Sequence, residues 1–462
     1  MPRTTLALTS FVSGEFSPKM DGRTDFDKYS SGAKTLENFL VHPQGAATRR
    51  VGTQFIAEVK SSAAKTRLIP FEFSTTQTYI LEFGNNYIRF FKDKGQILDS
   101  GSAYEISTPY LTAELFEIKF AQSADVMYIT HPNHEVMKLS RTGHTSWTLA
   151  EVAFTDGPYL ATNSTATTLT PQQAATGTGK TITASAVTGI NGGAGFQTTD
   201  VGRIISFNSG KAKITARTNT TVVVATITTA FTNTNATAAF NLGAFSNTTG
   251  HPSCVSFFEQ RLVFAGTTDE PQTIFFSAAG DYENMTTGTN AGDAMVYTIA
   301  ANQVNAIRYM KAVRTLVVGT TGGEYTVSAD GTDASITPTN ITIKRQSSYG
   351  SANVDAIPAG NAILFLQKAR RKIRELQYNF DSDGYQAPDL TILNDSATNS
   401  GINEMVYQQE PGSIIWCVRD DGVLAALTYQ RSENVIAWSR HIFGGVFGSG
   451  DAVCESAATI SG

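Results

Sequence analysis

Little in this chain points to a covalent staple, a membrane anchor or a reactive centre. Three cysteines stand among 462 residues, Cys254, Cys417 and Cys454, odd in number, far apart and with no CxxC pair. Neither a disulfide framework nor a structural zinc site follows from that spacing, and the pattern predicts free thiols in a protein made in a reducing cytoplasm. Charge is scarce: Asp, Glu, Lys and Arg make up 16% of the residues, and the formal charge is −5. A general nucleic-acid binder needs a basic footprint, so this balance argues against one. It does not argue against DNA passing through a repelling channel. No run approaches the ~20 apolar residues of a membrane span, and the opening MPRTTLALTSFVSGEFSPKMDGR lacks the apolar core of a secretory signal. The expectation is a chain made soluble that reaches any extracellular destination by another route. Catalytic signatures are missing too, with no GxSxG, HExxH or phosphate loop. A sialidase-type propeller would carry Ser-x-Asp-x-Gly-x-x-Trp turns, and the nearest stretch, Ser328-Ala329-Asp330-Gly331, lacks the later Gly and Trp. These absences predict no catalytic residues, no cofactor and no metal site.

What is present is a repeated hairpin of β-branched and aromatic residues around a polar turn. Leu262-Val263-Phe264-Ala265 returns as Ile274-Phe275-Phe276, and Tyr79-Ile80-Leu81 turns at Gly84-Asn85-Asn86 into Tyr87-Ile88-Arg89-Phe90-Phe91. Further copies begin at Val126, Leu316, Ile363 and Ile414. The six starts are separated by 47, 136, 54, 47 and 51 residues. Four of these gaps agree on a period of roughly 50, the range of propeller blades. The long gap exceeds that period by roughly 86 residues, as if a separate domain were spliced between two blades. The fold class this predicts is all-β: a β-propeller of about six blades with an inserted small antiparallel β-domain and an N-terminal arm plus short helix.

Boundaries follow from composition. Residues 1–60 form the arm and short helix, with Gly14, Pro18 and Gly22 breaking regular structure early and Leu36, Phe39 and Leu40 sharing one helical face over residues 28–41. Pro43 and Gly45 stop that helix. Blades occupy residues 61–156 and 251–462, and the segment between, 157–250, is dominated by Thr, Ala, Asn and Ser. Such composition suits a disordered linker. Residues 203–228 nevertheless alternate as strands should, and Asn208-Ser209-Gly210 sits where a hairpin turn belongs, so a small antiparallel domain is expected. The next repeat would begin just past the last residue, so residues 443–455 and the arm are candidates to close the ring; the other reading is a blade order that belongs to a longer protein. A propeller closes by mixing strands from both ends, which leaves no unpaired blade edge.

Candidate chemistry is thin. His131-Pro132-Asn133-His134 spaces two histidines three apart, but in a hairpin turn with Glu135 as the only close carboxylate, and it reads as a solvated turn. Asp381-Ser382-Asp383-Gly384 resembles the start of a calcium loop, yet Ile392 or Leu390 stands where the twelfth-position Glu belongs, so it reads as a polar turn. The densest basic run, Lys368, Arg370, Arg371, Lys372 and Arg374, falls at a hairpin tip, and the adjacent Arg49 and Arg50 lie in a Gly-flanked turn. Arg49, Arg50, Lys368, Arg370 and Arg371 are therefore the candidate subunit or partner contacts.

The stretch FSPKMDGRTDFDKYSSGAKTLENFLVHPQGAATRRVGTQFI resembles the N-terminus of the tail tubular protein B family, the tail nozzles of short-tailed bacteriophages. There an arm and short helix run to a basic turn ahead of the first blade. SFFEQRLVFAGTTDEPQTIFFSAAGDYENM, with Arg261-Leu262, Ser277, Asp281, Tyr282 and Met285, is similar to a further family segment. The run Asp293 to Gln346, with Tyr297, Asn305, Gly323, Glu324 and Tyr325, and FLQKARRKIRELQYNFDSDGYQAPDLT continue the likeness. The resemblance covers nearly the whole chain outside the insertion, through many moderate similarities. It implies a structural virion protein, made in the host cytoplasm and placed in the tail. Such a protein forms a homohexameric ring below the portal and its adaptor (the head-to-tail connector), in the company of tail fibres, and DNA leaves through the ring without specific binding. Family members are usually longer. The insertion is expected to touch neighbouring subunits or the adaptor, the Arg49-Arg50 turn to lie near a subunit seam, and deletion of 158–249 to leave a folded propeller that does not assemble. The competing reading is a virion-borne propeller that binds or cleaves host surface glycans.

Overall fold

A computed structural model describes residues 8–331 and 334–460. Six antiparallel units of four strands, the first with a short fifth strand at its edge, recur along the chain. Blade 1 is built from Arg67–Ser74, Gln77–Gly84, Tyr87–Lys92 and Glu105–Ser107, and blade 2 from Lys119–Ser123, Val126–His131, His134–Gly143 and Ser146–Glu151. Blade 3 runs from Cys254–Phe258 to Met295–Thr298, blade 4 from Ile307–Ala312 to Thr342–Ser347, and blade 5 from Ile357–Ala359 to Gly384–Gln386. Blade 6 runs from Ile402–Gln408 to Val435–His441. The repeated hairpin of the sequence is the second and third strand of every blade, as in the pairing of Phe264 with Phe275 or Ile363 with Leu376. First strands of neighbouring blades touch at the centre, Lys119–Ser123 on Cys254–Phe258 and Cys254–Phe258 on Ile307–Ala312. The chain is thus a six-bladed β-propeller.

Strand faces that alternate toward the adjoining blade build the core. Phe71, Tyr79, Phe90 and Trp147 join blades 1 and 2, and Tyr128, Val255 and Phe264 join blades 2 and 3. Val263, Ile274 and Val318 join blades 3 and 4, Tyr309, Val317 and Phe365 join 4 and 5, and Leu364, Ile415 and Cys417 join 5 and 6. Among the described residues no such apolar cluster joins blade 6 to blade 1, so the closing seam is of a different kind.

The insertion is ordered, as its alternation predicts. Six antiparallel strands between Leu169 and Leu242 form one sheet, and Asn208 and Ser209 take φ of 45° and 57° in the expected hairpin turn. Two successive left-handed residues match the right-handed twist of a two-residue hairpin. The sheet has its own core of Ile182, Phe196, Ile205, Phe207, Val223 and Phe240. Beside it the buried Arg203 guanidinium is held by Asp200 at 2.8 Å, Asn191 at 2.7 Å and the Gly243 carbonyl at 2.8 Å.

The N-terminal segment departs from expectation. Of the helix foreseen over 28–41 only a 3-10 turn, Asp27–Ser31, forms; Phe39–Val41 pairs instead with Ala47–Arg49 as a hairpin. Asn38 at φ 60° breaks the helical path, and Leu36 and Val41 gain more by packing on Val435 and Ala437 of the last blade. Gly14, at φ +69°, lies so close to Trp438 that an added Cβ would sit 2.3 Å from its backbone nitrogen. The buried Glu15 then accepts from Arg440 Nε at 2.7 Å and from the Leu36 N–H at 2.7 Å. The first seven residues of the expected arm lie outside the described residues.

Ring closure differs too. All four strands of blade 6 come from one stretch, so no blade mixes strands from both ends. The arm covers the outer strand of blade 6, touching it through a parallel bridge from Glu37 to Arg440. Residues 454–459 lie at the inner strands of blades 6 and 1, where Ser456 Oγ donates to Glu404 at 2.7 Å and accepts from the Leu68 N–H at 3.0 Å.

Candidate functional site

Three places gather polar chemistry. The first is the central funnel, a cavity of about 320 Å³ lined by the inner strands. Arg67 of blade 1 reaches Glu404 of blade 6 at 3.1 Å and also donates to the Leu115 and Ile118 carbonyls at 2.9 and 2.6 Å. Lys311 meets Asp355 at 3.1 Å, and Lys119 donates to Asn353 Oδ1 at 2.8 Å and to the Arg308 carbonyl. Burial would raise Asp355, but Lys311, Lys119 and Arg67 together hold its carboxyl below the usual range. The two ion pairs therefore join neighbouring blades, 1 with 6 and 4 with 5, and Lys119 alone reaches across from blade 2 to blades 4 and 5. Arg67, Lys119, Lys311 and Glu404 lie in first strands a short way ahead of the recognisable hairpins, and Asp355 just before one. That was the available signal, and the hairpin pattern alone did not use it.

The basic residues singled out by sequence are dispersed. Arg49 is exposed. Arg50 folds back on the end of blade 6, its guanidinium 5.1 Å from the centroid of Phe443. Arg370, in the left-handed region at φ 59°, pairs with Asp420 at 2.7 Å, while Lys372 meets Asp389 at 2.8 Å. Arg374 stacks 3.5 Å over Tyr349. Lys368 and Arg371 point to solvent. The hairpin tip is thus a set of internal ties, within blade 5 and from it to blade 6 and the end of blade 4, with two exposed cations, not one basic patch. Asp381–Gly384 forms a turn in which the Tyr378 hydroxyl donates to Asp383 at 2.6 Å.

The third place corrects the reading of the histidine pair as a solvated turn. Val126–His131 and His134–Gly143 do flank a two-residue turn, but His131 is 0% exposed. Its partner carboxylate is not Glu135 but Glu114, from the 3-10 turn Thr112–Glu117 that links blades 1 and 2. His134 Nε2 lies 2.9 Å from Glu114, and ligand atoms of Glu114, His131 and His134 all fall within 4.8 Å of one another. Burial, reinforced by His134, pushes His131 down to about 4, so the ring is neutral at ordinary pH. Burial alone would raise Glu114, but the Leu111 N–H and His134 bring it below its usual value. No local spacing could announce this cluster, because Glu114 is remote in sequence and arrives through the blade linker.

What these elements define is a class: a β-propeller with a spliced β-domain and an ion-paired funnel. No protein-family model and no curated protein matches the chain. Among solved structures it is similar to apo AztD from Citrobacter koseri, at 7% identity and a TM-score of 0.35 over 79% of this chain and 80% of that one. The Neurospora crassa Pan2 WD40 domain is similar at 8% identity and a TM-score of 0.32, covering 70% and 77%. KlHsv2 with a loop replaced by a Gly-Ser linker is similar at 8% identity and 0.32, covering 81% and 97%. At these values the likenesses carry nothing about function, and the propeller rests on the chain's own sheets. Among the described residues no helix is long and apolar enough to cross a membrane.

Proposed function

We propose that the chain is a structural protein of a short-tailed phage virion, one subunit of a homohexameric tail nozzle attached below the adaptor ring. The observation that carries this reading is the segment 51–59, which has no regular structure and joins the end of the arm to blade 1. It contains the Gly52-Thr53-Gln54-Phe55-Ile56 stretch of the family resemblance, yet Val51 is 81% and Phe55 76% exposed. An apolar strap held in water beside the exposed Arg49 is costly for a monomer and natural at a subunit seam. A propeller centre that is a cavity of only about 320 Å³ fits the same reading, since DNA would then pass between subunits rather than through each propeller. A net charge of −5 suits a conduit that should not grip phosphate.

Mass photometry of the purified protein, with and without the phage's adaptor ring, tests this. Particles of six 49.5 kDa subunits are expected, with or without the adaptor, and Phe55→Asp should return them to monomers. A strict monomer that ignores the adaptor overturns the nozzle reading and favours a monomeric binding propeller.

A further inference from the structure

We propose that Glu114, His131 and His134 form a binding site for a divalent transition metal of the zinc class, which ties the linker between blades 1 and 2 to the hairpin of blade 2. Two imidazoles and one carboxylate are the borderline donor set that Zn²⁺ takes, with three protein ligands and one position left for water. The three donors converge from two separate elements, a 3-10 turn and a strand pair.

A second observation points to a ligand. His131 Nδ1 accepts the Asn133 N–H at 3.1 Å, so the ring proton of the neutral imidazole sits on Nε2. That Nε2 is fully buried and has no hydrogen-bond partner; the Glu117 carboxylate is 3.6 Å away, too far to accept it well. The Tyr110 hydroxyl, its ring 6.1 Å from His131 and 5.2 Å from His134, is likewise buried without a partner. Two unpartnered polar groups around one cluster are rare in a finished core, and each calls for an explanation such as an ion or water.

The geometry is close to what coordination needs. Tetrahedral donors at ~2.0–2.1 Å from zinc stand about 3.3 Å apart. The His134–Glu114 edge, at 2.9 Å, opens slightly, and the His131 donor, within 4.8 Å of the other two, closes toward that spacing. Coordination at His131 Nε2 moves the ring proton to Nδ1, where it faces the Asn133 N–H, so that hydrogen bond has to open and the turn has to shift as the metal binds. The side chains of His134 and Glu114 are 21% and 18% exposed, which leaves an entry path and room for the fourth, water ligand. His251 lies beside the turn, its backbone N–H on the Pro132 carbonyl at 3.0 Å, but its Nε2 is occupied by Asn247 at 3.0 Å.

The test is isothermal titration of Zn²⁺ alone into the full chain stripped with a chelator, with Co²⁺ absorption as a second probe. One equivalent should bind, and Co²⁺ should give the strong visible bands of a tetrahedral site. The variants His134→Gln and Glu114→Gln change partly exposed side chains and should keep native circular dichroism while losing 10- to 100-fold or more in affinity, roughly the loss seen even for outer-sphere partners. His42→Gln, on the distant N-terminal hairpin, should leave binding unchanged. In an NMR spectrum the Asn133 amide should shift on loading. Absence of a one-equivalent event, or binding that survives both variants, overturns the site. The outcome does not depend on the nozzle reading, since a monomeric propeller would hold the same cluster.

Discussion

His441 shows how strongly single buried groups in this chain are tuned by their surroundings. It is fully buried on the outer strand of blade 6, stacked edge-on against Trp416 with ring centroids 5.1 Å apart, and its Nε2 lies 3.2 Å from the Ser439 hydroxyl. Burial, with the nearby Arg50 cation adding to it, lowers its pKa from 6.5 to about 4. The folded pKa is below the unfolded one, so between those values the unfolded chain binds the extra proton. Stability from this group is complete above about pH 6.5 and drains away as the pH falls toward 4. By about pH 4.5 the loss amounts to about 2–3 kcal/mol. Urea unfolding of the wild type and of His441→Gln at pH 7 and pH 4.5 measures it: the variant's stability should drop less, by about that amount. Parallel losses in the two proteins would show that His441 does not titrate as its burial demands.

At the scale of elements the informative one is the closing segment, residues 454–459. Every other pair of adjacent blades shares an apolar cluster; the seam between blades 6 and 1 is instead made of the Arg67–Glu404 pair and this segment. Glu404 accepts from Arg67, from Ser456 Oγ and from the Ala457 N–H at 2.9 Å, and Thr459 donates to the Tyr407 carbonyl at 2.9 Å. Removing residues 453–462 leaves Arg67 and Glu404 paired but strips the carboxylate of two donors in a half-dry funnel. Hydrogen bonds to charged groups contribute about 1.5–3 kcal/mol each, so a loss of about 3–5 kcal/mol is expected. Amide exchange should rise first in Arg67–Ser74 and Ile402–Gln408. Uniform exchange across all blades would mean that the segment does not hold the seam. The same element explains what was legible. Second and third strands of each blade are apolar on both sides and joined by turns, so Leu262–Ala265 or Ile414–Val418 announce themselves. The first strands of blades 1, 2, 4 and 6 carry ions of the funnel: Lys119-Phe120-Ala121-Gln122-Ser123 reads as polar because its partners are residues of other blades, remote in sequence. The helical spacing of Leu36, Phe39 and Leu40 was real, but a three-residue coincidence is outweighed by the apolar edge of blade 6. Glu114 beside His131 and His134 is invisible for the same reason as the seam: the fold, not the spacing, makes the contact.

On the scale of the whole molecule, the chain is two cores joined by a narrow neck, and that predicts how separable they are. The insertion enters and leaves at neighbouring points, where the Leu160 N–H donates to the Leu242 carbonyl at 2.8 Å and the Ala244 N–H to the Pro158 carbonyl at 2.8 Å. Its core is its own, whereas Ala244, Phe245 and Phe154 beyond the neck belong to the cluster between blades 2 and 3. Contacts across the junction are few and polar, chiefly Lys211 with Asp156 at 2.9 Å around a cavity of about 380 Å³. Cutting at 158 and 249 would therefore remove part of the propeller's core, and the better excision keeps Leu160, which packs in that cluster, and joins it to Gly243 through a short Gly-Gly link. Tyr159 and Gly243 face each other in an isolated antiparallel bridge, so the link spans a short gap. The excised chain should unfold cooperatively with stability within about 1–2 kcal/mol of the full chain, since only surface ties are lost. If the insertion contacts neighbouring subunits or the adaptor, as the nozzle reading holds, that stable propeller should no longer form six-subunit particles in mass photometry. Rings from the excised chain would leave the seam to the exposed strap at Val51 and Phe55 and take the insertion out of assembly. Unfolding of the excised chain would show that the two cores are not independent.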